Sequence, residues 1–285
     1  MEIDLAPRNP YSLILSNPVM IAAGCLGYGI EQLRIASIDP QQRRAVGALV
    51  TPTVALHGRR APARLLEVAG GVISTGEWPG RGLEYIFDRC AAVWDSWAFP
   101  VILSIAGRSR QDAVIIARQI EGVAGIAAIE LNLSEIEGGV AAISGMIAAI
   151  RQATFLPILV KIPLPEATLL RQIPAMAQAG ADALVACAPP KVLAGAQASG
   201  NPTAGYLCGP GWQPLARYAL QQVLEVAQPL GLPVVASGGI TTITDLRAAL
   251  AMGAHAAQIG SALLAEPGLA ASLAQQALDG GDQIA

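Results

Sequence analysis

The sequence predicts an α/β protein of the (β/α)8 class, a TIM barrel built as a single domain over residues 1–285. Three observations favour this fold. Short apolar runs recur along the chain, segments with helical spacing separate most of them, and eight such runs fit within 285 residues. Continuously apolar runs of this length are typical of parallel strands that are buried on both faces.

The eight predicted strands are bounded by glycine, proline or asparagine, which commonly end strands. In chain order they lie in NPVMIAAG (17–24), GALVTP (47–52), PVILSIAG (100–107), GIAAIELNLS (125–134), LPILVKIP (156–163), ADALVACAP (181–189), LPVVASGGI (232–240) and AHAAQIGSAL (254–263).

Helical spacing of apolar residues predicts helices between many of these strands, and several of the segments end in glycine, as helix C-termini prefer. They include SRQDAVIIARQIEGV (109–123), EATLLRQIPAMAQAG (166–180), QPLARYALQQVLEVAQ (213–228) and TITDLRAALAMG (242–253). An open doubly wound sheet is the alternative fold, but no G-x-G-x-x-G follows the first strand. The longest segment predicted to be irregular is 187–212, which would be either a lid or a flexible insertion.

Composition excludes several classes of function. The net charge is −3, which gives no electrostatic reason to expect nucleic acid binding. The four cysteines are scattered and form no C-x-x-C pair, so neither a metal site nor an iron–sulfur cluster is predicted. The start of the chain lacks the features of a signal peptide, and the long apolar stretch 248–265 is better explained as helix, turn and strand than as a membrane span. We therefore expect a cytoplasmic protein that does not enter a membrane.

Two glycine turns near the end of the chain predict a phosphate site. The first follows strand seven at Ser237-Gly238-Gly239, and the second follows strand eight at Gly260-Ser261. Glycine lets backbone N–H groups approach an anion, a helix N-terminus adds a favourable dipole, and the loops after strands seven and eight are a common phosphate site in these barrels. Ordinary turn glycines are the alternative explanation.

Two polar residues lie in strands of the predicted barrel. Lys161 is costly in an apolar strand unless it meets a negative group, so it either serves a function, extends outward to solvent, or pairs with Glu130. Glu130 has the same strand parity as Asn132, and both should point into the barrel. Asn132 either holds a turn at the strand end or recognises the edge of a ring.

Taken together, these segments resemble the dihydroorotate dehydrogenases, specifically the soluble class. The resemblance rests on NPVM, ALVTP, IELNLS, ILVKI, AGADALV, GPGWQPLA, VVASGGI and MGAHAAQIGSAL, which occur in the family's order from about residue 17 to residue 261. It implies a (β/α)8 barrel that holds FMN at its mouth and oxidises dihydroorotate to orotate in pyrimidine biosynthesis. Family members are commonly dimers, and some have a reductase partner.

The resemblance also implies roles for individual residues. Lys161 would lie at the flavin N1/C2-carbonyl edge and stabilise negative charge on the reduced ring. The full set of implied cofactor-binding residues is Ala22, Ala23, Gly24, Asn132, Lys161, Gly209, Gly238, Gly239, Gly260 and Ser261.

Other positions depart from the family pattern. Glu135 stands where the family has a Cys or Ser base, and Glu137 replaces an asparagine that binds substrate. Pro52 stands where the second strand usually ends in lysine, and Ala188 where the sixth usually ends in asparagine. The segment STGEWPGRG (74–82) also lacks a family asparagine. Glu135 is either a substitute base, with a pKa that burial would have to raise, or a solvated loop residue.

Three functions remain open at this stage. The first is an FMN-dependent oxidoreductase, in which Glu135 and Lys161 are catalytic and electrons pass to a soluble acceptor or a partner subunit. The second is a non-catalytic descendant that binds FMN or another phosphate. The third is a barrel enzyme without flavin that uses Lys161 on a phosphorylated metabolite.

Overall fold

A computed structural model describes residues 2–31, 46–58, 64–75, 80–106, 109–134, 142–194 and 203–279. Its strands are β1 (Ile3–Asp4), β2 (Ile14–Leu15), β3 (Val19–Ile21), β4 (Ala48–Val50), β5 (Arg64–Val68), β6 (Gly71–Thr75), β7 (Val101–Ala106), β8 (Ala128–Asn132), β9 (Ile158–Ile162), β10 (Ala183–Ala186), β11 (Lys191–Ala194), β12 (Thr203–Cys208), β13 (Val234–Ser237) and β14 (Ala256–Ile259).

The helices in the same ranges are α1 (Leu83–Arg89), α2 (Ala91–Trp94), α3 (Arg110–Ile120), α4 (Ile143–Arg151), α5 (Ala167–Leu170), α6 (Ile173–Gln178), α7 (Gln213–Ala227), α8 (Ile243–Ala251), α9 (Ala262–Ala265) and α10 (Leu269–Asp279), with 3-10 turns at Pro210–Trp212 and Gln228–Leu230. None of these helices combines the length and hydropathy needed to cross a lipid bilayer.

Eight parallel strands close into a barrel in the order β3-β4-β7-β8-β9-β10-β13-β14, which confirms the predicted (β/α)8 fold and excludes the open sheet. Each of the eight predicted apolar segments supplies one barrel strand. The helices cover the outside through apolar stripes. In α3, for example, the buried residues Ala113, Ile116, Ala117 and Ile120 recur at the spacing of one helical face, and Ser109 caps the helix by accepting the N–H of Asp112.

The barrel interior is layered. Its lower layer is apolar and includes Met20, Val50, Leu159 and Val235, which pack with Leu5 from the N-terminal hairpin of β1 and β2. The inward positions of the next layer towards the carboxyl ends carry polar side chains, because residues two apart on a strand face the same side. These side chains are Ser104, Glu130, Lys161, Ser237 and Gln258.

A second, four-stranded antiparallel sheet has the order β11-β12-β6-β5, and we call it the small sheet. It corrects the expectation of an irregular segment at 187–212, because β11 and β12 form there and β12 pairs with the distant β6. The predicted helix at 166–180 is also divided into α5 and α6. Pro174 lies at the start of α6, where proline's missing N–H is tolerated.

Candidate active site

A cavity of about 300 Å³ opens at the carboxyl ends of the barrel strands. It is lined by the ends of barrel strands on one side and by residues of the small sheet on the other. Side chains from separate strands converge at this end of a barrel, and ligand pockets of this size are common in proteins. The cavity is therefore the candidate active site.

Lys161 lies at the base of the cavity, where only 5% of its surface is exposed. Its Nζ donates a hydrogen bond of 2.7 Å to Oε1 of Gln258 and lies 3.7 Å from Oε1 of Glu130. The prediction that Lys161 pairs with Glu130 is thus confirmed, and extension to solvent is wrong. The same lysine also lines the cavity, so pairing and contact with a ligand are compatible.

Gln258 and Glu130 are 1% and 0% exposed, and they hold Lys161 in place. The Nε2 of Gln258 donates to Oε2 of Glu130 while its Oε1 accepts from Lys161, so the three side chains form one chain of contacts. A buried ammonium without a counter-charge would be strongly unfavourable, and the Glu130 carboxylate supplies that charge. The Lys161 ammonium has three N–H donors and donates one hydrogen bond to Gln258, so donors are left for a ligand in the cavity.

The glycine turn after β13 presents its backbone to the cavity. Gly238 and Gly239 have positive φ angles of 117° and 69°, and a Cβ at either would collide with Trp212 or Gln213. The Gln213 Nε2 also donates to the Gly239 carbonyl at 2.8 Å, which fixes that peptide plane. Because N–H and C=O of a trans peptide point in opposite directions, the Ile240 N–H is turned away from Gln213. The turn is thus suited to backbone contact with an anion.

The N-terminus of α8 differs from the expectation of an open anion site. Thr242 caps the helix in a capping box with Asp245, and Oδ2 of Asp245 accepts the N–H groups of Thr241 and Thr242. Although partial burial opposes the shift, hydrogen bonds from Thr242, Gln213 and Thr241 lower the pKa of Asp245. The Asp245 carboxylate therefore already occupies this helix end. An anionic ligand would instead bind at the backbone turns 238–240 and 260–261.

Two cysteine thiols line the cavity near Lys161. Burial raises the pKa of Cys25 to about 12 and that of Cys208 to about 11, and the charge of Lys161 only partly opposes these shifts. Both thiols are consequently neutral at physiological pH, which makes either a poor base.

Asn132 lies at the end of β8, beside Lys161 in the strand register. Its Oδ1 accepts hydrogen bonds from Ser134 N at 3.0 Å and from Ser134 Oγ at 2.6 Å. The prediction that Asn132 holds a turn is therefore confirmed. The side chain also lines the cavity, so recognition of a ligand edge stays a prediction.

The structure brings all ten predicted cofactor-binding residues to the wall of this one cavity. They are Ala22, Ala23, Gly24, Asn132, Lys161, Gly209, Gly238, Gly239, Gly260 and Ser261. Glu135 and Glu137 lie outside the described residues, so the predicted base stays a prediction. Pro52 and Ala188, the two departures at strand ends, both line the cavity.

Sequence reasoning missed several residues of the cavity wall, namely Gln258, Trp212, Ser74 and Tyr206. Strand parity could have found Gln258, because it lies two residues before Gly260 on an inward-facing register. Ser74 and Tyr206 depend on the small sheet, whose pairing joins segments more than a hundred residues apart in the chain, and Trp212 lies in the 3-10 turn that follows β12. Within the described ranges, no group of three or more His, Cys, Asp or Glu side chains is arranged to hold a metal ion.

Comparison with known proteins agrees with this geometry. The family model described as dihydroorotate dehydrogenase matches residues 9–278. A curated relative from Desulforudis audaxviator, named dihydroorotate dehydrogenase B (NAD(+)), catalytic subunit, is 33% identical over 279 residues, which cover 92% of this chain and 88% of the relative. Proteins of the same name from Geobacter sulfurreducens and Anoxybacillus flavithermus are 29% and 27% identical, over 93% and 90% of this chain and 89% and 84% of the relatives.

Proposed function

The chain belongs to the dihydroorotate dehydrogenase family of oxidoreductases, and from this premise we propose that it is an FMN-dependent enzyme that acts on a CH–CH bond. The observation that carries the proposal is the buried Lys161, which Glu130 and Gln258 fix at the base of the cavity. A preorganised positive charge in a site shielded from water stabilises negative charge that develops during a reaction.

The residues present fit FMN. The cavity has one polar wall that ends in two backbone turns, at 238–240 and 260–261, and these suit a phosphate group. Lys161 lines the same cavity, and its positive charge suits an electron-accepting ring. Under this proposal Gly209, Gly238, Gly239, Gly260 and Ser261 hold the ribityl phosphate.

The remaining contacts follow from the same placement. Ala22, Ala23 and Gly24 lie along the flavin, since they line the cavity where β3 ends and carry no bulky side chain. Asn132 and Lys161 would hold the polar edge of the ring, and Lys161 would stabilise negative charge at its N1/C2-carbonyl side. Glu130 holds the Lys161 ammonium in position through their ion pair.

The chemistry that bound FMN would supply is that of a hydride acceptor, at its N5 atom, from which the electrons would go to a second acceptor. The chain supplies the base that removes the accompanying substrate proton, and we assign that role to Glu135. The substrate is dihydroorotate or a related molecule. Dihydroorotate would place the chain in pyrimidine biosynthesis. A related molecule is the alternative because Pro52 and Ala188 replace family residues that bind orotate.

A partner subunit is the proposed route for the electrons. The relatives carry names that describe a catalytic subunit and NAD(+), and the described residues of this chain hold no metal-ligand cluster of their own. We propose that the chain forms one cytoplasmic barrel domain over residues 1–285, and that it works with such a subunit or pairs with a second copy of itself as a homodimer.

A second candidate is a descendant that binds FMN without catalysis. Pro52 and Ala188 favour it, because neither can donate a side-chain hydrogen bond to a substrate. Lys161 with its buried partners argues against it, since a binding protein has no need for a fixed charge at the reacting edge.

The test starts with the purified full-length chain. A flavin spectrum and one FMN released per chain support cofactor binding, and a colourless chain that takes up no FMN refutes both candidates. Anaerobic bleaching of the flavin absorbance by a panel of dihydropyrimidines, dihydroorotate included, identifies an enzyme. The Glu135→Gln variant should lose that bleaching, and unchanged bleaching would exclude Glu135 as the base. A loaded chain that no donor bleaches favours the non-catalytic candidate.

A further inference from the structure

Ser74 has a buried hydroxyl group without a partner. Only 2% of the residue is exposed, and its Oγ makes no hydrogen bond with any described residue. Ser74 nevertheless lines the cavity. A buried hydroxyl group that loses its hydrogen bonds to water and gains no others is energetically unfavourable. In native proteins such a group usually has a hydrogen-bond partner that the protein structure alone does not show, such as a water molecule or a ligand. A ligand in the cavity is the partner that this position suits.

The register of the small sheet places Ser74 in a row of side chains above the cavity. Leu65 on β5 and Tyr206 on β12 are the two cross-strand partners of Ser74 on β6. All three residues line the cavity, as does Val72, two positions before Ser74 on the same face. Leu65 is 45% exposed although it is a large apolar side chain, so it has contact surface left for a ligand.

The strand ends that face this row are apolar. Pro52 and Val54 follow β4, Ala106 ends β7, and Ala188 follows β10, and all four line the cavity. Thr53 is the polar exception, and its Oγ1 is already hydrogen-bonded to Ser104 Oγ at 3.2 Å. Among the described lining residues, Lys161 is the sole cation, and Glu130 already balances its charge.

A carboxylate substrate does not suit this side of the cavity. An anion that leaves water must meet a compensating charge or several hydrogen-bond donors, and apolar walls provide neither. One donor or acceptor in an apolar wall suits a neutral molecule that carries one polar group.

We propose that the substrate of this site is an uncharged and mainly apolar ring compound whose carbonyl or hydroxyl group bonds the Ser74 hydroxyl. This inference rests on the proposed function, because it takes the substrate to lie between the FMN and the row Leu65–Ser74–Tyr206. Of the two substrates that the proposed function leaves open, it selects a related molecule over the carboxylate dihydroorotate. The serine hydroxyl both donates and accepts hydrogen bonds, so it can bond either a carbonyl or a hydroxyl group on such a ring.

The test uses the FMN-loaded full chain and three probes: methyl benzoate, benzoate and orotate. Methyl benzoate and benzoate share a ring and a carbonyl and differ by one charge. Binding is read from the change in the flavin spectrum, without turnover. Methyl benzoate should bind at least about tenfold more tightly than either anion. The inference is overturned if either anion binds as tightly as the ester, or if the ester does not perturb the flavin.

Two hydroxyl deletions on β6 test the assignment of Ser74. Ser74→Ala should weaken methyl benzoate about three- to tenfold, the usual cost of one hydrogen bond. Thr75→Val is the matched control, because the Thr75 hydroxyl bonds the Arg64 carbonyl at 3.4 Å and Thr75 is not among the residues that line the cavity. Equal effects of the two deletions, or no effect of Ser74→Ala, would overturn the assignment.

Failure of this inference and failure of the proposed function give different results. A chain that takes up no FMN refutes the function before any probe is added. A loaded chain that prefers the anions refutes the neutral substrate alone. Arg108 follows β7 in the sequence and lies outside the described residues. Anion binding that disappears in Arg108→Ala would therefore also contradict the inference, and it would identify Arg108 as the cation that binds the anion.

Discussion

The cavity residues at the ends of β8, β9, β13 and β14, which we call the first wall, differ in chemistry from the other lining residues, which we call the second wall. The first wall carries Asn132, Lys161 and Gln258 together with the backbone turns after β13 and β14. The second, made by the ends of β4 and β10 and by the small sheet, is largely apolar. The first wall contains residues that we predict to bind FMN, whereas the second contains Pro52 and Ala188, where the resemblance implies a lysine and an asparagine. Because separate elements carry the two walls, one can change its ligand without disturbing the other.

The largest effect is expected on FMN affinity, from a change in the first wall. Gly239→Val adds a side chain that collides with Gln213 at a φ of 69°, so the turn must shift. We expect FMN to bind about 100-fold more weakly, as measured by FMN fluorescence titration. Gly122→Ala is the control, because Gly122 has a similar φ of 72° but a Cβ there meets no atom within 4 Å. Equal losses in the two variants would indicate general destabilisation rather than damage to a binding turn.

The Lys161–Glu130 pair should set the reduction potential of bound flavin. Lys161→Met removes the cation, and the potential should fall by roughly 60 mV, or about 3 kcal/mol for a two-electron couple. Glu130→Gln removes the opposing charge and should raise the potential by a smaller amount, because the amide still reaches Gln258. Redox titration against a reference dye measures both shifts. Shifts of the same sign would contradict the arrangement described here.

The second wall should bind orotate once it carries the polar side chains that the resemblance implies. The double variant Pro52→Lys with Ala188→Asn places a cation and an amide where the family has them. We expect orotate to bind about tenfold more tightly to the FMN-loaded variant, the gain of roughly one charged hydrogen bond. Its FMN affinity should stay within about twofold. If FMN affinity changes as much as orotate affinity, the two walls are not independent.

The smallest effect is expected at the capped end of α8. Thr242→Ala removes the side chain that accepts the Asp245 N–H, and this should lower the free energy of unfolding by about 1 kcal/mol. Denaturant unfolding measures that loss. FMN affinity should be nearly unchanged, because Asp245 rather than a ligand occupies this helix end. A large loss of FMN affinity would instead show that the α8 N-terminus binds the phosphate.

The barrel could be predicted from the sequence because each strand is a short apolar run with its own boundaries. Parity within one strand likewise placed Glu130 and Asn132 on the inward face, where the structure has Glu130 paired with Lys161. The small sheet could not be predicted in this way. Its strands β6 and β12 lie far apart in the chain and pair only in the folded protein. Ser74 and Tyr206 were therefore missed, since nothing local marks them as neighbours.

A crystal structure of the chain with FMN would decide whether this cavity is the cofactor site. We expect the flavin ring inside the cavity, with Lys161 Nζ within hydrogen-bond distance of its N1/C2-carbonyl side and the phosphate at the turns 238–240 and 260–261. FMN bound elsewhere, or a cavity filled by the chain's own side chains with Lys161 out of reach of any ligand, would contradict it.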